Sequence, residues 1–466
     1  MFKNIYDEAV NYLQRGHYPI AKEKFLQLLD QHPGNHKLMY YMGTISQAEG
    51  HHGLAVVLLT ASCTIRADFH ALVNLGGAYR SLMMLKEAEA CWRQALSAPD
   101  PKEWQYEREK LEEMANLWAN IAGLYVNVGD PQKCVDAAKK ALTFDENCDA
   151  AHANLALGYL ELGNWKDGFA QYETLLRPGT RRIKDYGVPL WDGKPTDTLI
   201  ICGEQGIGDE IMFASILGDV QAKKLVIDCH PRNEKLFRRS FPKADIFPTR
   251  KNPDGSFAKN YPGAKCTLIG SLGHFYRAKG HFPRTPYLDA PAAKPGGTGR
   301  LRVGIAWSGG TLKTNSADRS LSLDQIKPIL EVAGIDWFSV QYQDSAPLEI
   351  CDFHEKTGIR IDHFPGWVQA FDYDKTAQFV KGLDLLITPC TSIVHLAGAL
   401  GVENWCLTPK RVAWRYGVTG DMPWYGSTKL YRQEVDGEWE SVIKRVAEDL
   451  WTLDDVRNSV IHRAKG

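Results

Sequence analysis

A repeat near 34 residues constrains this chain more than any other feature. Tyr12, Ser46, Tyr79, Tyr125 and Tyr159 follow one another at intervals of 34, 33, 46 and 34 residues. Each has a small residue three or four positions before it and another eight or nine after it. Ala21, Ala55 and Ala88 are followed four residues later by Phe25, Leu59 and Trp92, and Pro33 or Pro99 closes a unit. Small residues let two helices approach and large ones fill the gaps between them. The first ~175 residues are therefore expected to form stacked antiparallel helix pairs. The one irregular interval contains Pro99 to Lys110, a polar stretch expected to lengthen a helix.

The unit from Ala151 to Tyr172 closely resembles the tetratricopeptide family. Its period breaks after Arg177. Pro178, Gly179, Gly187, Pro189, Gly193 and Pro195 mark a linker, with Trp191 as its expected anchor. Arg181 and Arg182 in this linker suit a phosphate, but solvated linker charge is the preferred reading.

From Thr198 the pattern becomes strands alternating with helices. Strands are expected at Leu199–Cys202, Leu225–Cys229 and Thr267–Ile269, with a helix from Ile211 between the first two. Arg250–Gly263 reads as an insertion loop and Pro291–Gly299 as a second linker. Beyond it, strands are expected at Arg302–Trp307, Trp337–Val340, Leu383–Thr388 and Asn404–Leu407. Helices are expected from Leu323, Lys375 and Ser392, with a last one at Glu440–Leu450. The division is then a repeat domain at 1–176, a linker at 177–197, and two Rossmann-like α/β domains at 198–292 and 300–466.

Composition narrows the function. A net charge of −1 argues against a nucleic-acid footprint, and ten cysteines without a C-x-x-C pair disfavour a zinc site or a disulfide framework. No apolar run reaches the length of a membrane span, and Met1–Glu8 lacks the apolar core of a signal peptide. The expected location is cytoplasmic.

Three stretches carry chemistry. In the first, a strand ends at Gly203, Gly206 and Gly208 follow as turn glycines, and Asp209 stands before the helix. Asp228, twenty residues after Gly208, invites a dinucleotide reading. The glycine spacing departs from that motif, and Glu204, Asp209 and Glu210 would crowd a pyrophosphate that needs bare helix amides. Asp209 suits a general base better, although aspartate also caps helices and the two roles are compatible. In the second stretch, Thr391 and Ser392 open a helix whose first turn bears His395. Hydroxyls and free helix N–H groups make an anion site there, expected to take a diphosphate, with His395 either an added donor or a core residue. In the third, Ser308 follows a strand into a loop carrying Lys313 and Arg319. Arg319 could grip two phosphate oxygens, whereas Lys313 reads as solvated charge. Asp372 and Asp374 look like a D-x-D metal motif but precede a helix, so capping explains them and no metal is expected.

Gly203–Phe213, Gly304–Gly309 with Arg319, and Thr391–Gly401 together resemble the heptosyltransferase-type glycosyltransferases of the GT-B fold. Trp414–Gly417, Met422–Tyr425 and Leu430–Gln433 are similar to a branch of that family fused to tetratricopeptide repeats. The resemblance implies an inverting, metal-independent transferase without a cofactor, whose donor substrate is a nucleotide-diphospho-sugar. It implies Asp209 as catalytic acid–base residue and Gly206, Gly208, Ser308, Arg319, Thr391, Ser392 and His395 on the donor side. Cys390 stands where that family usually has an aspartate, so heptose is not assumed. The expected acceptor is a protein recruited by the repeats. A cell-envelope or capsular glycan, or a scaffold with an inactive transferase domain, are the alternatives.

Overall fold

The packing of the repeats follows from residue size. In the computed structural model, which describes residues 2–98, 107–174, 183–250, 260–293, 296, 298–310, 316–368 and 371–464, the N-terminal helices are α1 (Phe2–Gln14), α2 (Tyr18–Gln31), α3 (His36–Ala48), α4 (His52–Ile65), α5 (Phe69–Ser81), α6 (Leu85–Leu96), α7 (Glu107–Val128), α8 (Pro131–Phe144) and α9 (Asp149–Glu161). The alanines of the repeat frame, Ala9, Ala21, Ala55, Ala88 and Ala122, are fully buried, as are Phe25, Leu59 and Trp92. Gly76 shows why the frame needs a small residue. A Cβ there would lie 2.4 Å from the indole nitrogen of Trp92, so only glycine lets α6 seat its tryptophan against α5. The Trp92 indole N–H donates to the Val73 carbonyl at 3.0 Å. The long helix α7 lies in the irregular interval and begins inside its polar stretch; Pro99–Tyr106 lie outside the described residues. These paired helices form a tetratricopeptide-like array.

Two compact units divide between Gly158 and Tyr159, whereas the repeat period alone suggested 176. Helix α10 (Trp165–Thr174) accounts for the difference, because its aromatic face packs within the second unit. Trp165 meets Phe282 and Trp414 at ring-centroid distances of 4.9 and 6.4 Å. Phe169 and Tyr172 are buried, with Tyr172 6.2 Å from Phe213.

The second unit contains two parallel sheets. The first is built from β1 (Thr196–Cys202), β2 (Ala222–Asp228), β3 (Asp245–Phe247) and β4 (Lys265–Leu268), with helices α11 (Ile207–Ala214), α12 (Glu234–Ser240) and α13 (Leu272–Tyr276). Its order is β3-β2-β1-β4. Trp191 anchors the preceding segment as expected: its backbone N–H donates to the Cys266 carbonyl at 2.8 Å, and its ring packs on Phe275.

The second sheet contains β5 (Leu301–Ile305), β6 (Ile335–Ser339), β7 (Asp362–His363), β8 (Leu385–Pro389), β9 (Asn404–Thr408) and β10 (Thr428–Arg432). Around it lie α14 (Lys327–Leu330), α15 (Ala346–Thr357), α16 (Pro365–Val368), α17 (Tyr373–Lys381), α18 (Ser392–Leu400) and α19 (Glu440–Ala464). The order is β10-β9-β8-β5-β6-β7. Strands β8 and β9 are buried along their whole length, as parallel strands covered on both faces must be. The short strands β3, β7 and β10 were not expected from the sequence.

The order in which strands are added reverses between β1 and β4 in the first sheet and between β5 and β8 in the second, with all strands parallel. Crevices open at such switch points, beyond the carboxyl ends of the strands. The loops after β1, β5 and β8 carry the candidate residues of the three chemical stretches.

Candidate functional site

Strand β1 delivers the chain to Gly203, and α11 starts at Ile207, four residues earlier than expected. Gly206 is its N-cap, in extended conformation, and Asp209 is the third helical residue. Asp209 is therefore not an N-cap. Its carboxylate instead reaches back to accept the Gly206 N–H at 3.1 Å, which uses an amide otherwise open to a ligand. Gly208 is likewise helical and makes no turn. A Cβ on it would lie 3.0 Å from Ser392 Cα and 3.1 Å from His395 Cδ2. Its missing side chain lets the start of α11 meet the start of α18.

The three acids of this stretch have different partners. Glu204 accepts the Gly270 N–H at 2.9 Å, across the switch point of the first sheet. Glu210 is fully buried and accepts from the His230 N–H, from Asn233 Nδ2 at 2.6 Å and from Arg250. Asp209 alone among them faces the second sheet, where Arg415 donates to its carboxylate. Asp228, the expected ribose ligand of the dinucleotide reading, is fully buried. Lys184, Tyr186 and Thr249 occupy both its oxygens, so it serves the fold.

Ser308 sits past β5, clamped by Gln341: its N–H donates to Gln341 Oε1 at 3.3 Å, and Gln341 Nε2 donates to Ser308 Oγ at 2.7 Å. The next residue, Gly309, lies against Thr391, since a Cβ there would fall 2.5 Å from Thr391 Cγ2. Ser308 and Thr391 thus flank the switch point of the second sheet. Arg319 reaches the same turn, donating to the Cys390 carbonyl at 2.6 Å. Thr391 caps α18 without a side-chain hydrogen bond. Ser392 Oγ accepts from the Tyr373 hydroxyl at 2.9 Å, which leaves its own proton for another acceptor. Both residues are half-buried. Lys313, Arg181 and Arg182 lie outside the described residues.

His395 is corrected from a ligand donor to a core residue. It is 3% exposed, its Nδ1 faces the Tyr425 hydroxyl at 3.2 Å, and its Nε2 faces the Tyr416 hydroxyl at 3.4 Å. Burial, with the Arg415 charge nearby, pushes its pKa down to about 3. The folded protein thus holds it neutral, while the unfolded chain takes up a proton below about pH 6.5. Stability contributed by this neutral imidazole is complete above pH 6.5 and is lost as pH falls towards 3. At pH 5 the loss is about 2 kcal/mol. Unfolding measured between pH 7.5 and 5 should therefore show a steeper loss for the parent than for His395→Gln; equal slopes would disprove the assignment.

The acid Asp209 is half-buried. Burial pushes its carboxyl up, but the Arg415 charge and the Gly206 N–H outweigh burial and hold it below the usual carboxylate range. It is ionised at neutral pH and available, in charge state, to accept a proton. Arg415, Gln341, Tyr373, Tyr416 and Tyr425 received no role from the sequence, although Trp414–Gly417 and Met422–Tyr425 had drawn attention as part of a resemblance.

Asp372 caps α17 by accepting the Asp374 N–H at 3.1 Å and pairs with Lys235. Asp374 is held by both terminal nitrogens of Arg239. The two carboxylates join α17 to α12.

No protein-family model matches the chain. Over 453 residues it is 25% identical to Protein FlbA of Caulobacter vibrioides, covering 82% of this chain and 72% of FlbA. Among solved structures, MamA covers 36% of the chain and 91% of its own length, at 15% identity and a TM-score of 0.31. PilF of Pseudomonas aeruginosa covers 39% of the chain and 78% of its own length, at 16% identity and a TM-score of 0.34. Likeness at these scores decides nothing alone, and the repeat assignment stands on the helix pairs themselves. Among the described residues no helix is long and apolar enough to cross a membrane.

Proposed function

We propose that the second unit is an inverting, metal-independent glycosyltransferase of GT-B type. It moves a sugar from a nucleotide-diphospho-sugar to an acceptor hydroxyl, on a protein recruited by the repeats. The observation that carries this reading is the meeting of α11 and α18 at Gly208 and Ser392, which brings an ionised acid beside a helix start built for an anion. Asp209 takes the proton from the acceptor hydroxyl, and that oxygen attacks the anomeric carbon opposite the diphosphate. The departing diphosphate is stabilised by the N–H groups at the start of α18, the hydroxyls of Thr391 and Ser392, and the Arg319 guanidinium. Ser308, fixed by Gln341, borders the same crevice. The repeat array supplies an extended surface of the kind that solenoids use to hold polypeptides.

A panel of nucleotide sugars, scored for slow hydrolysis and thermal stabilisation, tests the reading directly. A panel in which none is hydrolysed and none stabilises the protein would remove it. Metal independence carries its own expectation. Asp372 and Asp374, the one D-x-D pair, have their oxygens committed to a helix cap, Lys235 and Arg239. Transfer should survive EDTA. Activity abolished by EDTA and restored by Mg²⁺ or Mn²⁺ would overturn this part of the proposal.

A further inference from the structure

Among the described residues, the strong contact that Asp209 makes with the second sheet is with Arg415, and this contact works against the proposed chemistry. A carboxylate tied to a guanidinium is a poor acceptor for a hydroxyl proton. The pair must open before Asp209 can act, and the surroundings of Arg415 indicate what opens it.

Arg415 lies in a short turn, Trp414–Tyr416, after β9. Its backbone is pinned on both sides. Trp414 is buried against Phe213 and Trp424 at 6.1 and 6.2 Å. The Tyr416 carbonyl accepts from Arg432 Nη2 at 2.6 Å, and the Gly417 carbonyl from Arg432 Nη1 at 2.8 Å. The guanidinium reaches out of this turn to Asp209 and lies over the Trp414 ring, 5.8 Å from its centroid. Its Nε is buried with no hydrogen-bond partner among the described residues, so its donor capacity is not exhausted by Asp209. The side chain also stays 24% exposed and that of Asp209 16% exposed, so the pair borders open space. Ser392, at the start of α18, lies beside Gly208, the residue before Asp209.

We propose that Arg415 is a diphosphate-binding side chain held in reserve by Asp209, so that arrival of the donor takes the guanidinium and releases the acid. This rests on the glycosyl-transfer reading. A diphosphate carries more charge than one carboxylate and offers paired oxygens to the planar guanidinium fork, so it wins the exchange. Asp209 then keeps only the Gly206 N–H and faces the acceptor unmasked. The device links base activation to donor occupancy.

The test is calorimetric binding of ADP, UDP, GDP and CDP to the full chain and three variants. Arg415→Gln should weaken the diphosphate that binds by roughly tenfold or more, the loss expected for a charged hydrogen bond. Asp209→Asn should tighten it several-fold, because it frees Arg415 from competition. In the double variant the tightening should vanish, leaving the affinity of Arg415→Gln. A residue with a merely structural role would not give a gain in one single variant that its partner cancels. Arg415→Lys, which keeps the charge but loses the fork, serves if Arg415→Gln does not fold and should show an intermediate loss. Diphosphate binding unchanged in Asp209→Asn and in the Arg415 variants overturns the exchange while leaving the transferase reading standing. Binding of none of the four nucleotides to any variant overturns both.

Discussion

Asp209→Asn should lower sugar transfer at least ~10²-fold while leaving nucleoside-diphosphate affinity no weaker. The amide keeps the size of the carboxylate, and its oxygen still accepts the Gly206 N–H that holds the start of α11. It cannot accept a proton from an acceptor hydroxyl. The defect should therefore lie in the chemical step and appear in single-turnover transfer. Ser392→Ala offers the contrast. It removes a hydroxyl at the mouth of α18 whose proton is not needed by Tyr373, so donor binding should weaken by roughly tenfold. The two variants thus fail in different measurements, one in rate and one in dissociation constant. Transfer by Asp209→Asn at the parent rate would reduce Asp209 to a residue that steadies the helix start.

The residues that were legible in the sequence differ physically from those that were not. The repeats declared themselves because their packing is local: Gly76 and Trp92 lie 16 positions apart, and their sizes must match whatever surrounds them. The strand into Gly203 and the helix from Ser392 were legible for the same reason, since each is written in contiguous residues. The start of α11 was not. Gly208 looks like a turn glycine, and its true role, making room for Ser392, depends on a residue 184 positions away. His395 was read partly as a ligand donor because the tyrosines that enclose it come from later loops. Arg415 lay beyond reach altogether, 206 positions from the acid it pairs with. Helix α10 carries the repeat pattern, yet its aromatic face packs with the α/β unit, and periodicity does not record which body a helix packs with.

Glu210→Ala should destabilise the second unit by about 3–5 kcal/mol, the usual consequence of stranding one side of a buried ion pair. Both oxygens of Glu210 are engaged: the His230 N–H approaches them at 3.0 and 3.1 Å, Asn233 Nδ2 donates at 2.6 Å, and Arg250 lies at 3.3 Å. Truncation leaves the Asn233 amide and the His230 N–H without this acceptor, and a guanidinium that is 9% exposed loses its carboxylate and keeps the Gln205 carbonyl. The melting temperature should fall on the order of 10 °C. Burial pushes the Glu210 carboxyl above its usual range, against the opposing pull of Arg250, Asn233 and the His230 N–H. Glu210→Gln keeps the shape and one acceptor oxygen but sets its NH2 against a donor, so it should cost less than Glu210→Ala without being neutral. Transfer by Glu210→Gln should remain within a few-fold of the parent, because the Glu210 carboxylate is held by the first sheet's own loops whereas Asp209 meets Arg415. Adjacent acids on one helix would then separate cleanly, Glu210 by melting and Asp209 by rate. If Glu210→Gln instead abolishes transfer in a protein that melts like the parent, the base has been assigned to the wrong neighbour.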